Sequence, residues 1–289
     1  GSGATGLASW DDSEVLNFAP TATGFGSDSS GNLSSLFDIA SFTSDTNVDA
    51  MHYVTADISV GTGTPISLKA GDLLLSLSSD ETLTSDTILA TKKEDVFIFS
   101  PTVAGEYSKG TFTLLFTNPS NKDITGITLV EEATVVGDTT LQKGSFLFTV
   151  TGDGDSDHGI HVFEPGDLSL SATNGVVTIL IDGKEEITAG KDIFQDKLAG
   201  IELIENDYSL GGVNLKAGTI LLTMDGEKGI YADNTQLGNR QDIYALDVTQ
   251  TTLVKGATAA TASLFFDGSD ISLEEDKESL DALTLIEPQ

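Results

Sequence analysis

The sequence predicts an all-β protein made of four imperfect copies of one four-stranded antiparallel unit. Recurrence is the first reason. LKAGDLLLSL (Leu68–Leu77) returns as LQKGSFLFTV (Leu141–Val150) and as LKAGTILLTM (Leu215–Met224), with Gly71, Gly144 and Gly218 spaced 73 and 74 residues apart. The second is local chemistry: each recurring element is a short run rich in Val, Ile, Leu, Phe and Thr, bounded by Gly, Asn, Asp or Pro. The third is the scarcity of helical periodicity, since only Ala189–Leu198 (AGKDIFQDKL) has spacing suited to a turn or two of helix.

Four elements, a to d, recur in order. Element a is the leucine-rich run just described. Element b is EDVFIFSPT from Glu94, HGIHVFEPG from His158 and QDIYALDVT from Gln241, with SEVLNFAPT from Ser13 near the start. Element c is GTFTLLF from Gly110, NGVVTILID from Asn174 and TASLFFDG from Thr261, with the weaker NLSSLFD from Asn32. Element d is NVDAMHYV from Asn47, DITGITLVE from Asp123, KLAGIELIE from Lys197 and SLDALTLIE from Ser279. In d the alternation is plain, because Ile201 and Leu203 share one face while Glu202 points to the other.

The chain therefore reads bcd, abcd, abcd, abcd, in units of approximately 11–54, 68–132, 141–205 and 215–287 within one domain of residues 1–289. A four-strand meander cannot bury both faces alone, so repeated copies are expected to stack as the blades of a four-bladed β-propeller. Two details point to closure by N- and C-terminal strands. The chain enters part-way through a unit and ends after d, and each d carries a small residue at one place: Ala50, Gly126, Gly200 and Ala282. A small side chain suits a strand crowded near a narrow axis. Tandem β-sandwiches are the alternative, because they produce short strands at similar spacing.

Composition narrows the function. Against 45 acids stand 14 bases, a net charge of −31, with Arg240 the only arginine. Such a field repels nucleic acid and anionic lipid and favours cations, so nucleic-acid binding is set aside. With no cysteine there is neither a disulfide nor a thiolate nucleophile. No apolar run approaches the roughly 20 residues that span a bilayer, so direct membrane insertion is not expected. The opening GSGATG reads as a linker without an export signal.

The words LLLS (Leu73–Ser76), DVFIF (Asp95–Phe99), FDGSD (Phe266–Asp270) and DALTL (Asp281–Leu285) carry a resemblance. The chain resembles β-propeller-like repeat modules of very large secreted bacterial surface proteins, adhesin-like or RTX-type. The middle copies depart from those words, with Gly126 and Gly200 in place of DA and IDGKE (Ile181–Glu185) in place of FDGSD. The resemblance implies a secreted bacterial module of a longer polypeptide and carries over no catalytic residue.

The densest chemistry is TGDGDSDHGIHVFEPGD (Thr151–Asp167). Calcium takes six to eight hard oxygens, and alternating aspartates in a tight loop direct several to one point. Asp153, Asp155, Asp157, the Gly159 carbonyl and Glu164 match positions 1, 3, 5, 7 and 12 of an EF-hand-like pattern. His158 replaces the turn glycine, the flanks are strands, and Glu164 falls inside element b, where Asp167 or a carbonyl is the substitute ligand. Read structurally, the same residues are a solvated hairpin. His158 and His161 with nearby aspartates are a weaker zinc set, because an odd offset in a strand sends them to opposite faces.

Asp182–Gly183, Asp225–Gly226 and Asp267–Gly268 read as tight turns, with Asp267 and Asp270 a minor cation candidate. Asp49 and Asp281 share one slot of element d, filled by Thr125 and Ala199 in the other copies; near an axis such a pair holds a cation or acts as acid and base, and facing solvent it is ordinary surface charge. No G-x-S-x-G elbow is present, and the single Trp10 with five tyrosines offers little stacking surface for sugars. Phe97, Phe99, Phe112, Phe116, Phe265 and Phe266 read as core. The expectation is a non-enzymatic extracellular or cell-surface binding or adhesion module, calcium-stabilised, with a protein or glycan ligand. The alternatives are a carbohydrate- or ester-acting hydrolase using axial carboxylates and a purely structural spacer.

Overall fold

The structure, a computed structural model, describes residues 2–4, 6–23, 29–44, 46–151, 159–168, 175–183, 187–188, 191–194, 196–226, 230–232, 235–251, 253–254, 258–273 and 279–286. These residues form an all-β protein of small antiparallel sheets, with two short 3₁₀ turns at Ile39–Ser41 and Gly268–Ile271. Fourteen strands carry the core. They are β1 (Glu14–Ala22), β2 (Ser30–Asp38), β3 (Val48–Tyr53), β4 (Leu73–Leu77), β5 (Asp95–Val103), β6 (Glu106–Thr117) and β7 (Ile124–Leu129). The second half supplies β8 (Phe146–Val150), β9 (Gly159–Pro165), β10 (Gly175–Asp182), β11 (Lys197–Leu203), β12 (Thr219–Asp225), β13 (Ile243–Gln250) and β14 (Ala259–Phe266).

Three sheets have four strands each, in the orders β6-β5-β4-β3, β7-β8-β9-β10 and β11-β12-β13-β14. Each sheet takes its d strand from one sequence unit and its a, b and c strands from the next. A small hairpin lies between d and a each time, pairing Ile58–Val60 with Ile66–Leu68, Thr134–Val136 with Thr139–Leu141, and Tyr208–Leu210 with Val213–Leu215. The a strands β4 and β8 are buried at every position. A strand covered on both faces must be apolar throughout rather than alternating, which is why these runs read LLLSL and FLFTV. The glycine before each, at φ 92°, 88° and 90° for Gly71, Gly144 and Gly218, turns the chain into the sheet in a left-handed conformation.

The sheets pack face to face through four apolar clusters. Leu74, Ile98 and Phe116 of the first meet Ile127, Phe146 and Phe163 of the second. Leu147, Val162 and Leu180 of the second meet Ile201, Leu222 and Tyr244 of the third. The β1–β2 hairpin sets Val15 and Phe37 against Leu73, Phe97 and Phe99 of the first sheet. On its other side, Leu33, Leu16 and Phe18 join Leu221, Phe265 and Phe266 of the third, together with Leu283 and Leu285. All six phenylalanines expected in the core are at most 4% exposed. Trp10 packs against this last cluster.

Ala189–Leu198 holds no helical turn among its described residues. Lys191–Asp192 pairs with Ile187–Thr188, and Lys197 opens β11. Ile193 and Phe194, 3% and 0% exposed, are drawn into the cluster between the second and third sheets, and that burial outweighs local helix preference.

Candidate functional site

The d strands β3, β7 and β11 run beside one another at the centre, and the final d segment, 279–286, lies against them. Crowding explains the small residues shared by these elements. A Cβ on Gly200 would stand 2.6 Å from the Leu283 nitrogen and 2.8 Å from the Ala282 carbonyl carbon. One on Gly126 would meet the Ala199 carbonyl oxygen. Tyr53 N–H donates to Thr284 Oγ1 at 3.1 Å, which ties the last d segment to the first.

Two residues after each small residue stand His52, Thr128, Glu202 and Thr284, the same position of four d elements. They gather into one buried cluster. His52 Nδ1 lies 3.3 Å from Thr128 Oγ1 and 3.5 Å from Glu202 Oε2, while its Nε2 lies 3.2 Å from Glu131 Oε1. Thr284 hydrogen-bonds Glu202. Burial opposes a charge on His52, but Glu202 and then Glu131 override it and push the imidazole up to about 9. Burial holds Glu202 above the usual carboxylate range. For Glu131 burial acts upward, yet the bonds to His52 and Thr55 bring it below that range.

Three residues further on, Glu131 and Glu205 repeat a second device. Glu131 accepts from Thr55 N–H and Ala56 N–H at 2.7 Å each and from the Thr55 hydroxyl at 2.9 Å. Glu205 does the same one unit later, accepting from Glu131 N–H at 2.6 Å and Glu132 N–H at 2.8 Å. Each glutamate thus caps the backbone at the equivalent place in the preceding unit. Burial pushes Glu205 up to about 8 against the pull of those two N–H groups. A cavity of about 330 Å³ opens here, lined by His52, Glu131, Glu132, Lys143, Glu202 and Glu205, with Leu129, Leu203 and Leu285 among its walls. Its lining thus sets four carboxyl groups against one lysine and one histidine.

The other end of the d strands carries the Asp49–Asp281 slot. Both are half-buried. Desolvation, then Asp281, Asp123 and Asp225, raise Asp49 to about 7. Asp281 is raised by burial and accepts from Ser279 Oγ at 2.6 Å. In the same slot Thr125 Oγ1 donates to the Leu198 carbonyl at 3.0 Å. Asp49 thus feels the charge of Asp281, and neither carboxylate lines the described cavity.

Of the calcium pattern, Asp153, Asp155, Asp157 and His158 lie outside the described residues. Gly159 opens β9, and Glu164, within it, is exposed and pairs with Val176. His161 stacks on Phe148 at 5.3 Å between centroids, a packing contact. Among the described residues no group of three or more His, Asp or Glu is arranged to hold a metal ion. Asp267 caps the 3₁₀ turn by accepting from Ser269 N–H, and Asp270 accepts from Ser29 N–H at 2.6 Å, so both are tied up in structure. Asp267–Gly268 is thus a capped 3₁₀ start, not a positive-φ turn.

The His52–Glu131–Glu202–Glu205 cluster was missed in sequence. A signal was present in the recurring LVE, LIE and LIE that end three d elements, at Glu131, Glu205 and Glu287. No protein-family model, no curated protein and no solved structure matches the chain.

Proposed function

We propose that this chain is a non-enzymatic extracellular binding module of a larger secreted surface protein, built as a four-bladed β-propeller. Support for the propeller comes from the packing order: four clusters join hairpin to first sheet, first to second, second to third and third back to the hairpin. The d segments meet at the centre, where a propeller has its axis. Leu16 and Phe18 share one core with Leu283 and Leu285, and Ala282 packs against the core that holds Val15, which supports a ring joined by its ends.

One observation carries the non-enzymatic reading. Both oxygens of Glu131 and of Glu205 accept backbone N–H groups of the neighbouring unit, so these two carboxylates lining the cavity clasp one blade to the next. With His52 and the Thr55 hydroxyl as further partners, Glu131 has all four of its acceptor sites taken, whereas a general base needs one free within reach of substrate. What is left to the surroundings is a rigid ring with loops at both ends and an acidic cavity. The favoured ligand presents cationic groups, such as a lysine-bearing protein surface or an amino-sugar glycan. The loop of Asp153, Asp155, Asp157, Gly159 and Glu164 binds calcium as a stabilising ion.

Glycan and protein arrays probed with the chain test this reading, run beside a screen of chromogenic glycosides and esters. Binding without turnover is expected. Turnover abolished by Asp49→Asn would establish the hydrolase reading instead.

A further inference from the structure

The cavity of about 330 Å³ lies where the three central strands end. β3, β7 and β11 bring His52, Leu129, Glu202 and Leu203 to its lining, and the segments after them bring Glu131 and Glu205. His52 and Glu202 are 3% and 4% exposed, whereas Glu132, Lys143 and Asn206, also in the lining, are exposed. The cavity therefore joins surface residues to a buried polar floor. Ligand pockets span roughly 300–1,000 Å³, so this volume suits one side chain or a small molecule rather than a folded epitope.

The carboxylates around it differ in how much of their hydrogen-bonding capacity is used. An ionised carboxylate has about four acceptor sites. Glu131 spends all of its own on Thr55, Ala56 and His52. Glu205 spends two, one on each oxygen, on the N–H groups of Glu131 and Glu132. Glu202 Oε2 accepts no hydrogen bond, although the side chain is almost wholly buried. His52 Nδ1 stands 3.5 Å from that oxygen and nearer, at 3.3 Å, to Thr128 Oγ1. A buried acceptor left without a donor is costly, and a donor arriving through the cavity would relieve it.

The open acceptor sites thus lie on two carboxylates, Glu202 and Glu205, and their guest must donate hydrogen bonds and carry positive charge. A guanidinium fork matches the two oxygens of one carboxylate, but both oxygens of Glu205 already hold an N–H group. A compact ammonium, with three donors on one atom, can divide them between two carboxylates. A metal ion is a poorer match, since no group of three or more His, Asp or Glu among the described residues is arranged to hold one. Leu129, Leu203 and Leu285 offer an apolar wall to a methylene stem. An amino sugar has no such stem, because its amine sits directly on a ring that carries hydroxyls. Lys143 is exposed and forms no ion pair among the described residues, so it does not neutralise these carboxylates.

We propose that this cavity is a primary-ammonium site that takes a lysine side chain of a partner polypeptide, its stem against Leu129, Leu203 and Leu285 and its Nζ between Glu202 and Glu205. The assignment rests on the binding role proposed above and narrows its ligand to one chemistry. The net charge of −31 draws a cationic partner in, and the long side chain reaches the floor while the partner's backbone stays outside. The charged and titratable groups around the bound ammonium are His52 from β3, Glu131 and Glu132 after β7, Lys143 before β8, and Glu202 and Glu205 from β11 and beyond. Segment 279–286 adds only Leu285 to the lining. Burial pushes Glu205 up to about 8 and holds Glu202 above the usual carboxylate range, so both gain negative charge as pH rises. His52, held near 9, loses its opposing charge at the top of that range. A lysine ammonium, ordinarily near roughly 10.4, stays charged throughout, so affinity climbs from pH 6.5 to 9.

The test titrates n-butylammonium and lysine blocked at both backbone ends into the intact chain at about 0.15 M salt, followed by amide NMR shifts. Expected are saturable one-to-one binding with a Kd on the order of 1 mM and shifts confined to residues 52–56, 129–132 and 202–206. Tetramethylammonium, which has the charge but no N–H donor, should bind at least about tenfold more weakly. Glu202→Gln should weaken butylammonium binding at least about tenfold, and binding at pH 9 should be at least about fivefold tighter than at pH 6.5. Should Glu202→Gln fail to fold, the exposed change Lys143→Gln takes its place and should tighten binding about twofold or more. No saturation, shifts at other residues, equal binding of tetramethylammonium, tighter binding of glucosamine, or an affinity unmoved by these substitutions and by pH would overturn the proposal. Array hits by a chain that ignores both amines sink this ligand and leave the binding module standing. Neither amine binding nor array hits sinks both.

Discussion

His52 Nε2 lies 3.2 Å from Glu131 Oε1, joining two nearly buried side chains 79 residues apart across two sheets. Removing one partner of such a buried pair strands the other, which costs more than the pair contributes. Glu131→Ala also leaves the N–H groups of Thr55 and Ala56 without an acceptor. A loss of about 3–5 kcal/mol is expected, read as a shift of the urea midpoint at unchanged slope. Glu131→Gln keeps part of the capping and loses less. A midpoint within experimental error of the parent for Glu131→Ala would show that the clasp contributes nothing.

Stability should fall as pH rises from 5 to 9. His52 titrates near 9 in the fold, above its ordinary value of 6.5, so its contribution is complete below 6.5 and is lost as pH climbs through 9. Glu205, near 8, and Asp49, near 7, are also raised above their ordinary carboxylate values. Their contributions are complete below about 4 and are lost as pH climbs through 8 and 7. All three groups act in the same direction. Thermal melts across this range check the slope, and a Tm that increased between pH 5 and 9 would contradict it.

Asp49→Asn removes a half-buried carboxylate that faces Asp281, Asp123 and Asp225. The variant should be more stable than the parent by about 1–3 kcal/mol at pH 8 and nearly equal to it at pH 4, where the parent group is protonated. Added salt should narrow the difference at pH 8, because the repulsion is partly screened.

Gly200→Val places a branched side chain where the Ala282 and Leu283 backbone already stands. Backbone cannot yield as a flexible side-chain tip can, so a loss of about 2–4 kcal/mol is expected. The same change at Gly212, which has nothing within 4 Å, meets no clash and is limited to the strain of its φ of 93°. Comparing the two melts separates crowding at the centre from backbone conformation.

Calcium at the 153–164 loop should raise the Tm in millimolar calcium over that in EDTA. Free ion at a hundred times the Kd stabilises by about 2.7 kcal/mol. The double change Asp153→Ala/Asp155→Ala should erase the difference. Identical melts of the parent in the two buffers would remove the ion from the proposal.

Much of the architecture was legible in the residues. The runs around Leu73, Phe146 and Ile220 are apolar at nearly every position, and only a strand covered on both faces tolerates that pattern at so short a length. The small residues Ala50, Gly126, Gly200 and Ala282 announced a crowded centre, and Gly200 does meet Ala282 there. Ile193 and Phe194 misled, since local spacing hints at a turn of helix while their burial between two sheets imposes extended backbone.

What the sequence determined by itself was the strand inventory, the repeat and the acidic surface, because side-chain period, glycine placement and charge are local properties of the chain. The tertiary structure alone decided which carboxylates meet. His52, Glu131, Glu202 and Glu205 are scattered over three units, and only the side-by-side packing of β3, β7 and β11 brings them within hydrogen-bonding reach.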